Sequence, residues 1–166
     1  MENATRALLI ASGIILGILI LSVGVALFSM FGNSSKNIVE KLEESKLSEY
    51  NNNFYKYYGD GIIITAHDIV TISNFAKKCN KEGQVQNQTK YSQSSDYVQI
   101  DIKNNKKLET NFEKKSEEDY DLFIKNNMFT KDNVGNETTQ IKYYKCTNII
   151  TNNKSGKVIY MRIEEK

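Results

Sequence analysis

The stretch Ala7-Leu-Leu-Ile-Ala-Ser-Gly-Ile-Ile-Leu-Gly-Ile-Leu-Ile-Leu-Ser-Val-Gly-Val-Ala-Leu-Phe-Ser-Met-Phe31 contains no charged residue. A helix rises about 1.5 Å per residue and needs about 20 residues to cross the hydrocarbon core of a bilayer. The stretch is therefore long enough to span a membrane. We predict a transmembrane anchor over residues 1–31, which crosses the membrane once and has the lipid bilayer as its partner.

A cleaved secretory signal is the alternative to a retained anchor. Such signals have a shorter apolar region of about 7 to 15 residues behind a basic start. Here the start carries Arg6 beside Glu2. The small residues of Gly24-Val-Ala26 would suit a cleavage site, but the length of the apolar run favours retention.

The charges around the apolar run bear on the orientation of the chain. Arg6 precedes the run, and lysines mixed with glutamates follow it. The positive-inside rule taken literally keeps the following domain in the cytoplasm, but long domains translocate largely regardless of so small a bias. We expect an extracytoplasmic domain on the cell membrane, with an inward-facing regulatory module as the alternative. The charged residues after the run are Lys36, Glu40, Lys41, Glu43, Glu44 and Lys46.

Three glycines of the apolar run lie near one face of the predicted helix. Gly13, Gly17 and Gly24 recur at spacings of four and seven residues. Small residues on a membrane helix let another helix approach closely. We predict helix packing at these glycines, through self-assembly or with another membrane protein. The alternative is that glycine is simply common in membrane helices.

Residues 32–59 are predicted to form an amphipathic stalk helix. Apolar residues recur there mostly at spacings of three and four, which places them on one helical face. Gly59-Asp-Gly61 is expected to end this helix. The apolar positions are Val39, Leu42, Leu47, Tyr50, Phe54 and Tyr57.

Residues 60–166 are predicted to form a soluble domain that opens with helices. Thr65 stands three residues before Asp68 in a capping-box pattern, which predicts the start of a second helix. Ser116 is a further N-cap candidate, for a short helix that ends near Asn126-Asn127.

Strands are predicted after a polar loop over residues 84–96. Tyr97–Ile102 alternates apolar and polar residues, and so does Lys157–Glu164. Thr138–Ile150 is rich in β-branched and aromatic residues, and the Asn152–Gly156 connection predicts a hairpin. The predicted fold class is α+β, with a long transmembrane helix continuing into an amphipathic helix, then a short helix and a small antiparallel sheet of three or four strands.

Composition and motifs argue against several classes of function. The 22 basic and 20 acidic residues give a net charge of +2 and are interspersed, so no basic stripe for nucleic acid is present. One histidine and two cysteines are too few for a four-ligand zinc site. The sequence contains no phosphate-binding loop, nucleophile elbow or paired-histidine motif. We predict no enzyme, catalytic residue, metal ligand, cofactor or nucleic-acid partner.

A few polar residues still leave alternatives open. His67 is either a general base or a solvated residue of a first helical turn. The acidic segment Glu117–Asp121 lacks the spaced ligands and central glycine of a calcium loop. Cys79 and Cys146 either form a disulfide, which an exported domain permits, or remain two separate buried thiols.

The order of these parts resembles that of a pilin or pseudopilin. An N-terminal apolar helix continues into an amphipathic helix that ends in Phe54-Tyr-Lys-Tyr-Tyr-Gly59, and a short helix and a terminal sheet follow. The leader-peptidase site of pilins, a glycine before the mature helix with a glutamate near its start, is missing. The blocks Met1–Ile10 and Ile64–Lys78 also resemble uncharacterised small single-pass membrane proteins of Gram-positive anaerobic bacteria, a family with no activity to carry over.

We therefore expect a non-enzymatic, membrane-anchored envelope protein. Its most concrete version is a pilin-like or secretion-machine subunit that acts through protein–protein packing of the anchor and the stalk. The alternative is a membrane-tethered ligand-sensing or regulatory domain, which would need convergent polar groups in a pocket.

Overall fold

The chain divides into two compact units, Met1–Lys46 and Leu47–Lys166. The computed structural model describes residues 2–104, 107–131, 137–139 and 141–166. Helix α1 covers Glu2–Tyr55, so its last residues belong to the second unit. The α+β class is confirmed.

The second unit contains two further α-helices, a short 3₁₀ helix and six strands among the described residues. In chain order these are α2 (Ala66–Glu82), β1 (Gln99–Asn104), β2 (Lys107–Glu109), the 3₁₀ helix Phe112–Lys114, α3 (Glu117–Met128), β3 (Phe129–Lys131), β4 (Glu137–Thr139), β5 (Tyr144–Thr151) and β6 (Val158–Glu165).

Helix α1 ends at Tyr55, a few residues before the predicted glycines. The chain leaves the helix through a tightened turn, in which the Tyr57 N–H donates to the Phe54 carbonyl at 3.0 Å and the Tyr58 N–H donates to the Tyr55 carbonyl at 3.0 Å. Such bonds between residues three apart satisfy carbonyls that a helix end leaves open. Gly59 then follows with a φ of 152°, which only glycine adopts readily.

The predicted capping box at the start of α2 is confirmed. The Thr65 N–H donates to Asp68 Oδ2 at 2.9 Å, and the Asp68 N–H donates to Thr65 Oγ1 at 3.3 Å. Ile64 and Ile69, which flank the box, are both fully buried. The box satisfies two N–H groups that an uncapped helix would leave without a partner.

The predicted cap of α3 is confirmed as well. The Asp119 N–H donates to Ser116 Oγ at 3.1 Å, and the Ser116 N–H donates to Asp119 Oδ2 at 3.2 Å. The buried Tyr120 hydroxyl donates to the Phe112 carbonyl at 3.1 Å, which ties α3 to the 3₁₀ helix.

The main sheet is mixed, which corrects the predicted antiparallel sheet. Its strand order is β2-β1-β6-β5, and β1 runs parallel to β6 while the other two pairings are antiparallel. Parallel neighbours need a long connection, and here the segment that includes the 3₁₀ helix and α3 provides it. Alternation along a strand predicts which faces it has but not the direction of its neighbour.

The predicted strand Thr138–Ile150 is wrong as a single element. Thr138 lies in β4, which pairs with β3 in a separate two-stranded sheet, whereas β5 begins only at Tyr144. Gln140, between these strands, lies outside the described residues. Both strands carry β-branched residues, so composition alone did not reveal the break.

The predicted hairpin between β5 and β6 is confirmed. The Gly156 N–H donates to the Asn152 carbonyl at 2.8 Å, and the Asn152 N–H donates to the Lys157 carbonyl at 2.8 Å. Gly156 has a φ of 70°, and a Cβ at this position would lie 3.1 Å from Leu47 Cδ2. Glycine therefore serves both the turn and the close approach of Leu47.

The core lies between one face of the main sheet and α2. Each large apolar side chain buried there contributes about 1.5–3 kcal/mol to the free energy of unfolding. The core side chains include Phe54 of α1, Ile69, Ile72 and Ala76 of α2, Ile100 and Ile102 of β1, Met161 and Ile163 of β6, and the aromatic residues Phe112, Tyr120 and Tyr144.

We predict that Thr65→Ala destabilises the second unit by about 1 kcal/mol, because the Asp68 N–H loses its acceptor. The midpoint of thermal unfolding of the detergent-solubilised chain should fall by about 3–6 °C. Thr71→Ala is the matched control, because its exposed hydroxyl donates only to the His67 carbonyl within α2. An equal loss in both variants would contradict a special role for the cap.

Candidate functional site

The predicted helix-packing residues lie on an uncovered part of α1. Apart from the adjoining backbone of the helix itself, no heavy atom of the described residues lies within 4 Å of the position that a Cβ would take at Gly13, Gly17 or Gly24. The most apolar window of α1 is 0% buried within the chain. Among the described residues, α1 is the one helix that is long and apolar enough to cross a membrane, by length and composition.

A polar cleft of about 710 Å³ is the main concave candidate in the second unit. The end of α2, the loop that follows it and the β5–β6 turn form its walls. Its lining residues include Tyr50, Cys79, Glu82, Asp96, Lys154 and Lys157. This volume falls within the range of about 300–1,000 Å³ that small-molecule sites occupy.

Asp96 joins the loop wall of the cleft to the hairpin wall. Its Oδ1 accepts hydrogen bonds from Ser155 Oγ at 2.6 Å and from Asn152 Nδ2 at 2.9 Å. Its Oδ2 lies 3.2 Å from Lys157 Nζ. All three partners belong to the β5–β6 connection, so this one carboxylate fastens the loop to the hairpin.

The hydrogen bonds also control the protonation of Asp96. Partial burial pushes its pKa upward, but the hydrogen bonds from Ser155 and Lys157, the charge of Lys157 and the hydrogen bond from Asn152 outweigh burial. The pKa is therefore lowered from its ordinary value of 3.8. The carboxylate form is the one that holds the cleft walls together.

Other polar side chains of the cleft are also engaged with the protein itself. Gln93 Nε2 donates to the Thr151 carbonyl at 3.1 Å, and Gln93 Oε1 accepts from the Asn153 N–H at 2.7 Å. Asn152 Oδ1 accepts from the Lys154 N–H at 2.9 Å. A ligand that used these groups would have to displace existing bonds, so they serve to position the loop.

The thiol of Cys79 in the cleft is a weak nucleophile. Burial, together with the charge of Glu82, raises its pKa to about 11. The neighbouring Tyr50 hydroxyl donates to the Val158 carbonyl at 3.0 Å, and burial raises its pKa. Reactive cysteines have a lowered pKa, so the thiolate needed for catalysis is scarce at neutral pH.

Cys146 lies outside the polar cleft. It lines a separate cavity with Tyr58 and Lys145, and burial raises its pKa to about 11. Cys79 and Cys146 are both free thiols, half-buried, in this structure. Both alternatives, a disulfide or two separate thiols, stay predictions that the labelling experiment below tests.

The structure reveals a buried polar network that the sequence did not predict. Glu113 is 1% exposed, and it accepts hydrogen bonds from the Tyr97 hydroxyl at 2.5 Å and from the Ile100 N–H at 2.8 Å. Burial raises the pKa of Glu113 despite these bonds. Alternation in β1 marked Asp101 as polar, but the Tyr160 hydroxyl donates to its Oδ2 at 3.1 Å on a covered face.

The other candidates from the sequence remain apart from the cleft. His67 is exposed in the first turn of α2, and Glu117 and Asp121 are exposed on α3. Among the described residues, no group of three or more His, Cys, Asp or Glu side chains is placed to hold a metal ion.

Comparison with protein-family models, curated proteins and solved structures finds no match to this chain. The resemblance to pilins and to single-pass proteins therefore stays a prediction.

We predict that Asp96→Asn loosens the cleft loop, because the ion pair with Lys157 is lost. A salt bridge of this exposure contributes about 0.2–1 kcal/mol, so local opening should become up to about fivefold more frequent. Hydrogen exchange of the amides of residues 91–96 measures this opening.

The wild-type loop should loosen in the same way as the pH falls below 3.8, since the lowered pKa stabilises the fold only while Asp96 is ionised.

Asp121→Asn is the matched control for that experiment, because it removes the same charge from an exposed position on α3. If the amides of both variants exchange like those of the wild type, Asp96 does not hold the loop to the hairpin.

We also predict slow alkylation of Cys79 and Cys146. A pKa of about 11 in place of 9.0 leaves about a hundredfold less thiolate at neutral pH, and the rate should fall in proportion. Iodoacetamide labelling followed by mass spectrometry measures the rates. Ser48→Cys, on an exposed position, supplies a fast reference thiol. Labelling that requires prior reduction would instead reveal a disulfide.

Proposed function

We propose that this protein is a non-enzymatic, membrane-anchored envelope protein that works by protein–protein packing, as a pilin-like or secretion-machine subunit does. In this proposal residues 1–31 form the anchor, and the second unit lies on the extracytoplasmic side.

One observation carries the proposal: among the described residues, the apolar side chains of the uncharged run of α1 are largely exposed. Ile15 is 62% exposed, Leu21 is 70% exposed and Phe28 is 82% exposed. Soluble monomers rarely expose contiguous apolar patches of more than a few hundred Å². A bilayer would cover this surface. A helix can lie in lipid because its backbone N–H and C=O groups form hydrogen bonds with one another.

The exposed apolar surface continues beyond the uncharged run, and this supports packing against protein. Ile38 is 66% exposed, Val39 is 53% exposed and Leu42 is 52% exposed, among charged residues such as Glu40 and Lys41. A hydrocarbon core does not readily accept those charges, so another protein surface is the better cover.

The polar cleft favours ligand sensing as the second candidate. Its size suits a small molecule, but Asp96, Gln93 and Asn152 are engaged in bonds that close the loop. A ligand of this cleft would have to compete with the protein's own contacts. The packing function is therefore preferred.

We predict that Leu16→Arg with Leu19→Arg removes the protein from the membrane fraction. Each arginine at the centre of a membrane helix costs about 2.5–3.5 kcal/mol for insertion, so the pair opposes it by about 5–7 kcal/mol. The measurement is the amount of protein that stays in the membrane fraction after a wash with alkaline carbonate. The wild type and a Leu16→Ala, Leu19→Ala control should resist the wash. A wild-type chain that the wash releases would rule out the anchor.

A further inference from the structure

The buried carboxyl group of Glu113 extends the hydrogen bonding of β1. Strand β2 pairs with residues 102–104 of β1, and Ile100 lies before that pairing. The Ile100 N–H donates to Glu113 Oε2 at 2.8 Å. A side chain of the 3₁₀ helix therefore supplies the acceptor that a neighbouring strand supplies elsewhere in a sheet.

The other carboxyl oxygen of Glu113 is the first of three oxygen atoms in a row. Glu113 Oε1 lies 2.5 Å from the Tyr97 hydroxyl oxygen, which lies 3.2 Å from Asn111 Oδ1. We call Glu113, Tyr97 and Asn111 the Glu113 relay. Burial and the hydrogen bond with Glu113 raise the pKa of Tyr97, so the Tyr97 hydroxyl keeps its proton.

The number of protons in the relay decides which of its contacts are hydrogen bonds. The Tyr97 hydroxyl has one proton, and both of its neighbours are acceptors when Glu113 is ionised. The proton then goes to the carboxylate, and the contact with Asn111 has none. If Glu113 is protonated, its Oε1–H donates to the Tyr97 oxygen and the Tyr97 O–H donates to Asn111. Because Oε2 accepts the Ile100 N–H in both states, the protonated state satisfies every contact.

The surroundings of Glu113 also favour the protonated state. Glu113 is almost fully buried, and none of the ion pairs between described residues includes it. An ionised carboxylate without a cation is unfavourable in such a place. The charge of Lys114 lowers the pKa of Glu113, but the Lys114 ammonium group donates to the Gln88 carbonyl, and burial of Glu113 has the larger effect.

Charged groups of the neighbouring elements act in both directions. The charge of Asp101 in β1 raises the pKa of Tyr97, so it disfavours a second negative charge in the relay. Lys77 Nζ of α2 lies 5.7 Å from the centre of the Tyr120 ring and favours that charge. The titratable groups around the relay are Asp101 of β1, Lys114 of the 3₁₀ helix, Lys77 of α2, and Glu117, Asp119 and Tyr120 of α3.

We propose that the Glu113 relay is a pH-sensitive contact, which holds the 3₁₀ helix on β1 while Glu113 is protonated and loosens as the pH rises and Glu113 ionises. This inference concerns the second unit alone and does not depend on the membrane anchor.

The direction of the pH effect follows from linkage. The pKa of Glu113 is raised from its ordinary value of 4.5, so the folded chain binds this proton more tightly than the unfolded chain does. The stabilisation is complete below 4.5 and is lost as the pH rises through the pKa of the folded chain. Asp96 acts in the opposite direction, because its lowered pKa stabilises the ionised form.

Hydrogen exchange of the Ile100 amide in the detergent-solubilised full chain tests the relay. Glu113→Gln keeps an acceptor for the Ile100 N–H and a donor for Tyr97 at every pH, so it resembles the protonated acid. The exchange rate of the wild type divided by that of Glu113→Gln should rise by up to about tenfold per pH unit above the pKa of the folded chain. This ratio cancels the ordinary pH dependence of exchange. Glu118→Gln, on an exposed position of α3, should exchange like the wild type at each pH.

A second variant tests the order of the donors in the relay. Asn111 has a φ of 55°, which glycine adopts readily, so Asn111→Gly removes the amide oxygen without strain in the backbone. The relay uses that oxygen only while Glu113 is protonated. The midpoint of the pH profile should therefore fall by about 0.4–1 pH unit, the range that one hydrogen bond supplies. An Asn111 amide that instead donates to Tyr97 would make the midpoint rise.

Infrared spectroscopy of the wild type supplies a measurement that needs no change at Glu113. The band of a protonated carboxyl group should persist above pH 4.5 and disappear with the same midpoint as the exchange profile. The relay is overturned by an exchange ratio that stays constant or falls as the pH rises, by the absence of this band above pH 4.5, or by a midpoint that does not fall in Asn111→Gly. If Glu113→Gln does not fold, the infrared titrations of the wild type and Asn111→Gly decide.

Discussion

A helix keeps its backbone hydrogen bonds within itself, which is the condition that a segment must meet to lie in hydrocarbon. The uncharged run of α1 meets this condition, and its apolar side chains are exposed among the described residues. Water would oppose the exposure of so large an apolar surface. The proposed location and function follow from the need to cover it, first by lipid and then, beyond Phe31, by protein.

The second unit is small, and helix caps and polar contacts stabilise it together with its modest apolar core. The caps at Thr65 and Ser116 fix where α2 and α3 begin, and the apolar faces of these helices then meet the sheet. Polar contacts between residues distant in sequence complete the unit. Glu113 accepts a hydrogen bond from the Ile100 N–H, and Asp96 accepts one from Ser155 in the β5–β6 hairpin. These titratable groups are thus committed to structure.

The polar cleft gives little support for catalysis, because its titratable groups are buried or hydrogen-bonded within the fold. The thiol in the cleft is kept protonated by burial, and the carboxylate of Asp96 is surrounded by donors from the hairpin. An active site needs groups that are available to a substrate. The most available feature of the molecule is the apolar surface of α1, and it suits packing.

Residue patterns along the chain predict the features that depend on near neighbours. These features include the apolar length of α1, the capping box at Thr65, the N-cap at Ser116, the Asn152–Gly156 turn and the α+β class. Caps, turns and periodicity involve residues a few positions apart. The folded chain was needed to show that β1 runs parallel to β6 and that Thr138 lies in a different strand from Ile150. The direction of a neighbouring strand and the partners of Glu113 and Asp96 depend on contacts between distant residues, which no local pattern records.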